Sequence, residues 1–108
     1  EPLYNQGIAL MEQKKYLEAI GCFDKALGLK PSYFAAFNNK GIALTNIHRH
    51  EDALHAFDNA LSIKPDYVEG SINKAVTLTH LRKFDEAIKT LSDINELIPN
   101  NSRCLGFS

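Results

Sequence analysis

Two cysteines in 108 residues are too few for a disulfide framework. Cys22 falls in a helical pattern and Cys104 in the tail, so neither belongs to a clustered metal spacing. Free, reduced thiols are expected, which points to a cytoplasmic compartment. No apolar run approaches the roughly 20 residues of a membrane helix, and no signal-peptide pattern is visible, so no membrane partner is expected. Charge of one sign is lacking as well. The net charge of −1 gives no field that would draw the chain to nucleic acid or an anionic surface. Catalytic patterns are missing too: no glycine-rich phosphate loop, C-x-x-C, nucleophile elbow or paired carboxylates facing a pocket. His48, His50 and His55 lie near Glu51 and Asp52, yet no two stand at the i, i+4 spacing of H-E-x-x-H. Neither a metal nor a cofactor is expected, and the chain does not read as an enzyme.

What the chain does have is a period. Pro31, Pro65 and Pro99 stand 34 residues apart, and Leu10, Leu44, Leu78 and Ala19, Ala53, Ala87 keep the same interval. A period of this length that reads helix–turn–helix marks a stacked helical repeat. Apolar spacing predicts helices over about 2–13, 16–29, 33–47, 50–63, a stretch ending near Leu81, and 84–98. Pro2 suits a first helical turn. Ser32 is expected to cap the third helix, and Asp66 with Glu69 to form a capping box for the fifth. The basic joints Lys14-Lys15, His48-Arg49 and Arg82-Lys83 fall between paired helices, where cations complement a helix C-terminus. His50 takes the place of Tyr16 and Phe84, which makes it a packing residue.

Small residues explain how such helices pair. Gly7, Gly41 and Ala75 occupy equivalent places, as do Ala26 and Ala60. A small side chain lets two helix axes approach, while Phe23, Phe57, Tyr16 and Phe84 fill the gaps beside it.

The arrangement Gly7…Leu10…Ala19…Phe23…Ala26…Pro31, repeated as Gly41…Leu44…Ala53…Phe57…Ala60…Pro65, closely resembles the tetratricopeptide repeat. The resemblance covers nearly the whole chain. It implies an all-α, right-handed α-solenoid of three antiparallel helix–turn–helix hairpins forming one domain over 1–108. The repeats run over about 1–33, 34–67 and 68–101, with a tail at 102–108. The third copy departs from the pattern: Ala75 replaces glycine, Leu91 replaces phenylalanine and Ile94 replaces the second alanine. An altered packing angle is expected there. After Pro99 the pattern restarts. Asn100 stands where Ser32 and Asp66 stand, and Arg103-Cys104-Leu105 can open a seventh helix. The chain is therefore expected to be a segment of a longer array. Leu91, Ile94, Leu97 and Ile98, with Leu105 and Phe107 of the tail, would leave that end apolar, whereas terminal repeats need a polar outer face.

The resemblance also implies that the first helix of each pair lines a concave face. Helical spacing then turns inward Tyr4, Asn5, Ile8, Met11 and Glu12, then Asn38, Asn39, Ile42, Thr45 and Asn46, then Glu69, Ile72, Asn73, Val76, Thr79 and His80. Asn5, Asn39 and Asn73 recur once per repeat at one place. Asparagine is a mediocre helix-interior residue, so three in register ask for a reason. A carboxamide both donates and accepts, and a row of them can clasp an extended peptide backbone. This looks like the asparagine ladder of superhelical tetratricopeptide domains, some of which present substrates to a glycosyltransferase. The alternative is that each amide bonds within the stack. Ile8, Ile42 and Val76 form an aliphatic stripe beside the row, either packing between helices or offering shallow pockets.

Three-repeat domains of this family that hold the acidic C-terminal tails of chaperones use a clamp of Lys, Asn, Asn, Lys and Arg. Those sites fall on Tyr4, Ile8, Asn39, Glu69 and Asn73. Only Asn39 matches, so acidic chaperone tails are expected to be excluded as partners. Binding of an extended peptide is the leading expectation. Homo-oligomerisation through the apolar end, or service as a substrate-recruiting arm of a larger enzyme, are the alternatives.

Overall fold

A computed structural model of the chain describes residues 2–97. Six helices follow one another: α1 Pro2–Glu12, α2 Tyr16–Leu29, α3 Phe34–Asn46, α4 His50–Ile63, α5 Val68–His80 and α6 Phe84–Leu97. They form three hairpins, and the described residues contain no strand. The hairpins stack because α2 packs on α3 as well as on α1, and α4 on α5 as well as on α3. The odd-numbered helices also come close in sequence, α1 to α3 and α3 to α5, whereas among the described residues the backbones of the even-numbered helices stay farther apart. This inner row of α1, α3 and α5, with α2, α4 and α6 splayed outside it, is an all-α solenoid of helical hairpins.

Glycine and phenylalanine set the closest approach. A methyl group built on Gly7 would lie 2.5 Å from Cε1 of Phe23, and one on Gly41 would lie 2.5 Å from Cε1 of Phe57. Both rings are buried, and Ala19, Ala26, Ala53 and Ala60 around them are fully shielded from solvent. In the third hairpin the buried Ala75 stands where Gly7 and Gly41 stand, and the smaller Leu91 stands where the rings stand. Tyr4, Ile8 and Met11 pack against the Ala19–Phe23–Ala36 cluster, and Ile42 against the Leu44–Ala53–Phe57 cluster.

The turns differ from expectation in instructive ways. Ser32, Asp66 and Glu69 make no capping bond, because the N-caps are Tyr33 and Tyr67. The amides of these tyrosines bond back to the Lys30 and Lys64 carbonyls at 3.1 Å, which places Ser32 and Asp66 one residue too early to cap. Asp66 instead lies 3.5 Å from the ammonium of Lys64. The basic joints are more than dipole partners. Lys14, His48 and Arg82 each take φ of 63°, the left-handed region. Their amides bond to the carbonyls of Met11, Thr45 and Thr79, while the next residues, Lys15, Arg49 and Lys83, bond to Leu10, Leu44 and Leu78. That paired pattern is a Schellman ending, here built three times without glycine.

Phe84 departs from its expected packing role. It is half exposed, because it faces outward on α6, the last described helix, whereas Tyr16 and His50 at the same place are partly covered. Ile98, Leu105 and Phe107, like the expected seventh helix, lie outside the described residues.

Candidate functional site

The inner row carries two sets of side-chain hydrogen bonds, one joining α1 to α3 and one joining α3 to α5. Asn39 on α3 donates one amide hydrogen to the Tyr4 hydroxyl on α1 at 2.8 Å and the other to the Ala35 carbonyl at 3.0 Å. One repeat later, Asn73 on α5 donates to the Oδ1 of Asn38 at 3.0 Å. Asn38 in turn donates to the Glu69 carboxylate at 3.4 Å. Each link runs from an asparagine of the row to the residue just before the corresponding row position in the preceding repeat. This second set ends at Glu69, whose charge also acts on the Tyr67 phenol. Burial, the Glu69 charge and Tyr4 push the Tyr67 phenol up to about 12. Burial also raises Tyr4, together with Tyr33, while its bond to Asn39 pulls the other way. The Tyr4 and Tyr33 rings lie 4.8 Å apart, so this end of the inner row is aromatic as well as polar.

The expected lining residues therefore divide. Asn38 is fully buried, so it serves the stack and offers a ligand nothing directly. Asn39 and Asn73 are half-buried and tied to neighbouring repeats, while Asn5 is exposed. With both its amide hydrogens engaged, Asn39 can meet a ligand only as an acceptor, not in the two-way clasp that its chemistry alone suggests. Asn46, Thr45 and Thr79 turn their donors back onto the carbonyls four residues earlier in their own helices. The aliphatic stripe also splits. Ile8 and Ile42 are partly buried against the core, whereas Ile72 and Val76 are 45% and 48% exposed. Val76 and Ile42, with Thr45, Asn46 and Asn73, wall a cavity of about 100 Å³ between α3 and α5.

His80 does not stand alone at the edge of this face. Its ring stacks on His50 of α4, with centroids 4.7 Å apart and planes 11° from parallel, and His48 meets His50 edge-on at 5.9 Å. Among the described residues no group of three His, Cys, Asp or Glu is placed to hold a metal ion.

At the other end of the stack the expected apolar surface has a different membership. Ile94 is buried, whereas Phe84, Ile88 and Leu91 of α6 are 51%, 62% and 48% exposed. Their i, i+4, i+7 spacing matches His50, Leu54 and Phe57 on α4, of which His50 stacks on His80 of α5 and Phe57 borders the cavity beside Asn73 and Val76, so the signal was present in the repeat register. A larger hollow, about 420 Å³, opens on the outer side between α2 and α4, walled by Asp24, Lys40, Arg49, Asp52 and His55. It was not anticipated: it opens where the backbones of the neighbouring outer helices stand apart.

Among the described residues no helix is long and apolar enough to cross a membrane. No curated protein matches the chain by sequence. Solved structures match its fold closely. The first tetratricopeptide domain of Spaghetti (RPAP3), bound to the HSP90 peptide SRMEEVD, is 26% identical, with a TM-score of 0.86 over 91% of this chain and 78% of that one. The TPR2B domain of yeast Sti1 in its pHsp70 complex is 18% identical, with a TM-score of 0.87 over 90% and 78%. MamA is 22% identical, with a TM-score of 0.88 over 94% and 59%. One tetratricopeptide-repeat model matches residues 48–107, more than half of the chain, and a second matches residues 1–33. The chain belongs to the tetratricopeptide-repeat family.

Proposed function

We propose that the chain is a non-catalytic interaction module that holds an extended peptide along α1, α3 and α5. The observation that carries this reading is the pairing of exposed aliphatic surface with fixed polar groups. Ile72 and Val76 are about half exposed beside Asn73, whose amide is held by Asn38. The exposed halves of these β-branched side chains offer an apolar ligand side chain a place to bury. Packed helix axes lie about 8–10 Å apart, and an extended chain rises about 3.3 Å per residue. One repeat therefore spans about three ligand residues. Asn39 and Asn73 would accept ligand amides three positions apart, and the cavity beside Val76 would take a small aliphatic side chain between them.

Peptide binding by this fold is illustrated by the Spaghetti and Sti1 domains, which are described as bound to HSP90 and pHsp70 partners. The expectation that acidic tails are excluded has no support from those neighbours. An acidic tail is the second reading, set against the lack of a cation at Tyr4, Glu69 and Asn73 and of an asparagine at Ile8. Self-association through Phe84, Ile88 and Leu91 is favoured by their exposure. The test is binding to an array of randomised peptides by the wild-type chain, Asn39→Ala and the triple Asn5, Asn39, Asn73→Ala variant, with helicity and melting checked first. Loss of binding in well-folded variants supports the groove. Equal binding by the triple variant removes the asparagine row from the account, and concentration-dependent mass without any binder moves function to α6.

A further inference from the structure

We infer that the concave groove selects a peptide bearing lysine or arginine, with the cationic side chain placed against Glu69. The inference rests on the peptide-binding reading above. It starts from where the cations of the inner helices go. Along α1, α3 and α5 the only lysines or arginines are Lys40 and Lys74. Both are turned outward: Lys40 pairs with Asp24 of α2 at 2.6 Å, and Lys74 with Asp58 of α4 at 2.8 Å. Among the described residues α1, α3 and α5 are left with no unpaired lysine or arginine and with two carboxylates, Glu12 and Glu69.

Glu69 is the one that is built in. It is exposed, yet its carboxylate accepts a hydrogen bond from the Asn38 amide. That donor is neutral, so it orients the charge without cancelling it. Asn38 is fully buried and bonded to Asn73, which ties the carboxylate to the asparagine row. Among the described residues no lysine or arginine pairs with Glu69. The charge is felt at both Tyr4 and Tyr67, whose ionisation it opposes. The cations of the joints do not offset it. Arg82 and Lys83 lie beyond the far end of α5, about 20 Å away at 1.5 Å per residue, while charges are screened within about 8–10 Å. Lys30 and Lys64, which flank this end, are engaged elsewhere: their ammonium groups lie over the Tyr33 and Phe34 rings at 5.1 and 5.6 Å, and Lys64 also lies 3.5 Å from Asp66. A ligand carboxylate beside Glu69 would meet a like charge, whereas a ligand ammonium or guanidinium would complete an ion pair on a preset acceptor.

Glu69 also lies in the first turn of α5, where any carboxylate favours the helix. The test must therefore read charge preference and not only stability. Randomised nine-residue peptides and the acidic peptide SRMEEVD are presented to the wild-type chain, Glu69→Gln and Glu69→Lys. Salt is set low and then high, and melting is recorded for each variant. The wild type is expected to enrich lysine and arginine over aspartate and glutamate by about 2- to 5-fold, the range of an exposed ion pair. Glu69→Gln should flatten the preference, Glu69→Lys should invert it and gain affinity for SRMEEVD, and high salt should shrink both effects. Binders that favour acidic residues in the wild type, or a preference unchanged in Glu69→Lys, overturn the inference while leaving peptide binding intact. An array with no binders overturns the peptide-binding reading and this inference with it.

Discussion

Asn39 and Tyr4 are 35 residues apart in the chain and 2.8 Å apart in the fold, joined by a hydrogen bond between the amide of α3 and the hydroxyl of α1. The next repeat replaces the phenol with an amide, Asn38, and keeps the bond to Asn73. The asparagine row is thus first a device that fixes neighbouring hairpins in register. Tyr4→Phe should cost about 1 kcal/mol, the net worth of one hydrogen bond. Asn38→Ala should cost more, about 1–3 kcal/mol, because it strips a buried acceptor from Asn73. Urea denaturation of the single variants, and of Tyr4→Phe combined with Asn39→Ala, checks this. The double variant should cost less than the two singles together, since they share one bond.

Glycine positions separate by what surrounds them. At Gly41 an added methyl would meet the Phe57 ring at 2.5 Å, so Gly41→Ala should destabilise by roughly 1–3 kcal/mol through overpacking. At Gly21, inside α2, nothing lies within 4 Å of such a methyl, so Gly21→Ala should stabilise by about 0.5–1 kcal/mol. Thermal melts of the two variants should move in opposite directions.

The three left-handed joints are built from residues with a side-chain penalty at φ of 63°. Arg82→Gly should therefore raise stability by about 1 kcal/mol. A melting temperature that falls instead would assign the side chain a stabilising role of its own.

His50 gives the fold a pH dependence. Burial, then His80, then His48 hold its imidazole below the ordinary histidine value. Its Nδ1 is buried and has no hydrogen-bond partner among the described residues. The neutral form is the one that fits, and the unfolded chain takes up a proton first as pH falls. This contribution is present above about pH 6.5 and is lost as pH falls from there toward the lower folded value. The melting temperature should drop between about pH 7 and 5, and His50→Phe, which copies the ring at Phe84, should reduce that drop. An equal drop in the variant would place the dependence elsewhere.

Much of this was legible in the sequence, because a 34-residue period fixes helix, turn and packing residue together. Gly7 with Phe23 and Gly41 with Phe57 were found by register alone. What the sequence hid was direction within a helix turn. Asn38 and Asn39 are adjacent and about 100° apart on the helix, yet the first is fully buried and the second partly open. Nothing in the sequence marked the outward pairs of Lys40 with Asp24 and of Lys74 with Asp58, which leave the inner helices without an unpaired lysine or arginine among the described residues. The capping box was misplaced for a similar reason: one residue decides whether Asp66 caps α5 or pairs with Lys64.

The most direct test of the central claim is to label the chain with nitrogen-15 and titrate it with a peptide selected from the array, following backbone amide shifts. The account predicts that shifts concentrate on α3 and α5 around Ile42, Asn46, Ile72, Asn73 and Val76, with few on the outer helices. Shifts confined to α6 around Phe84, Ile88 and Leu91, or to the outer hollow near Arg49 and His55, would contradict it.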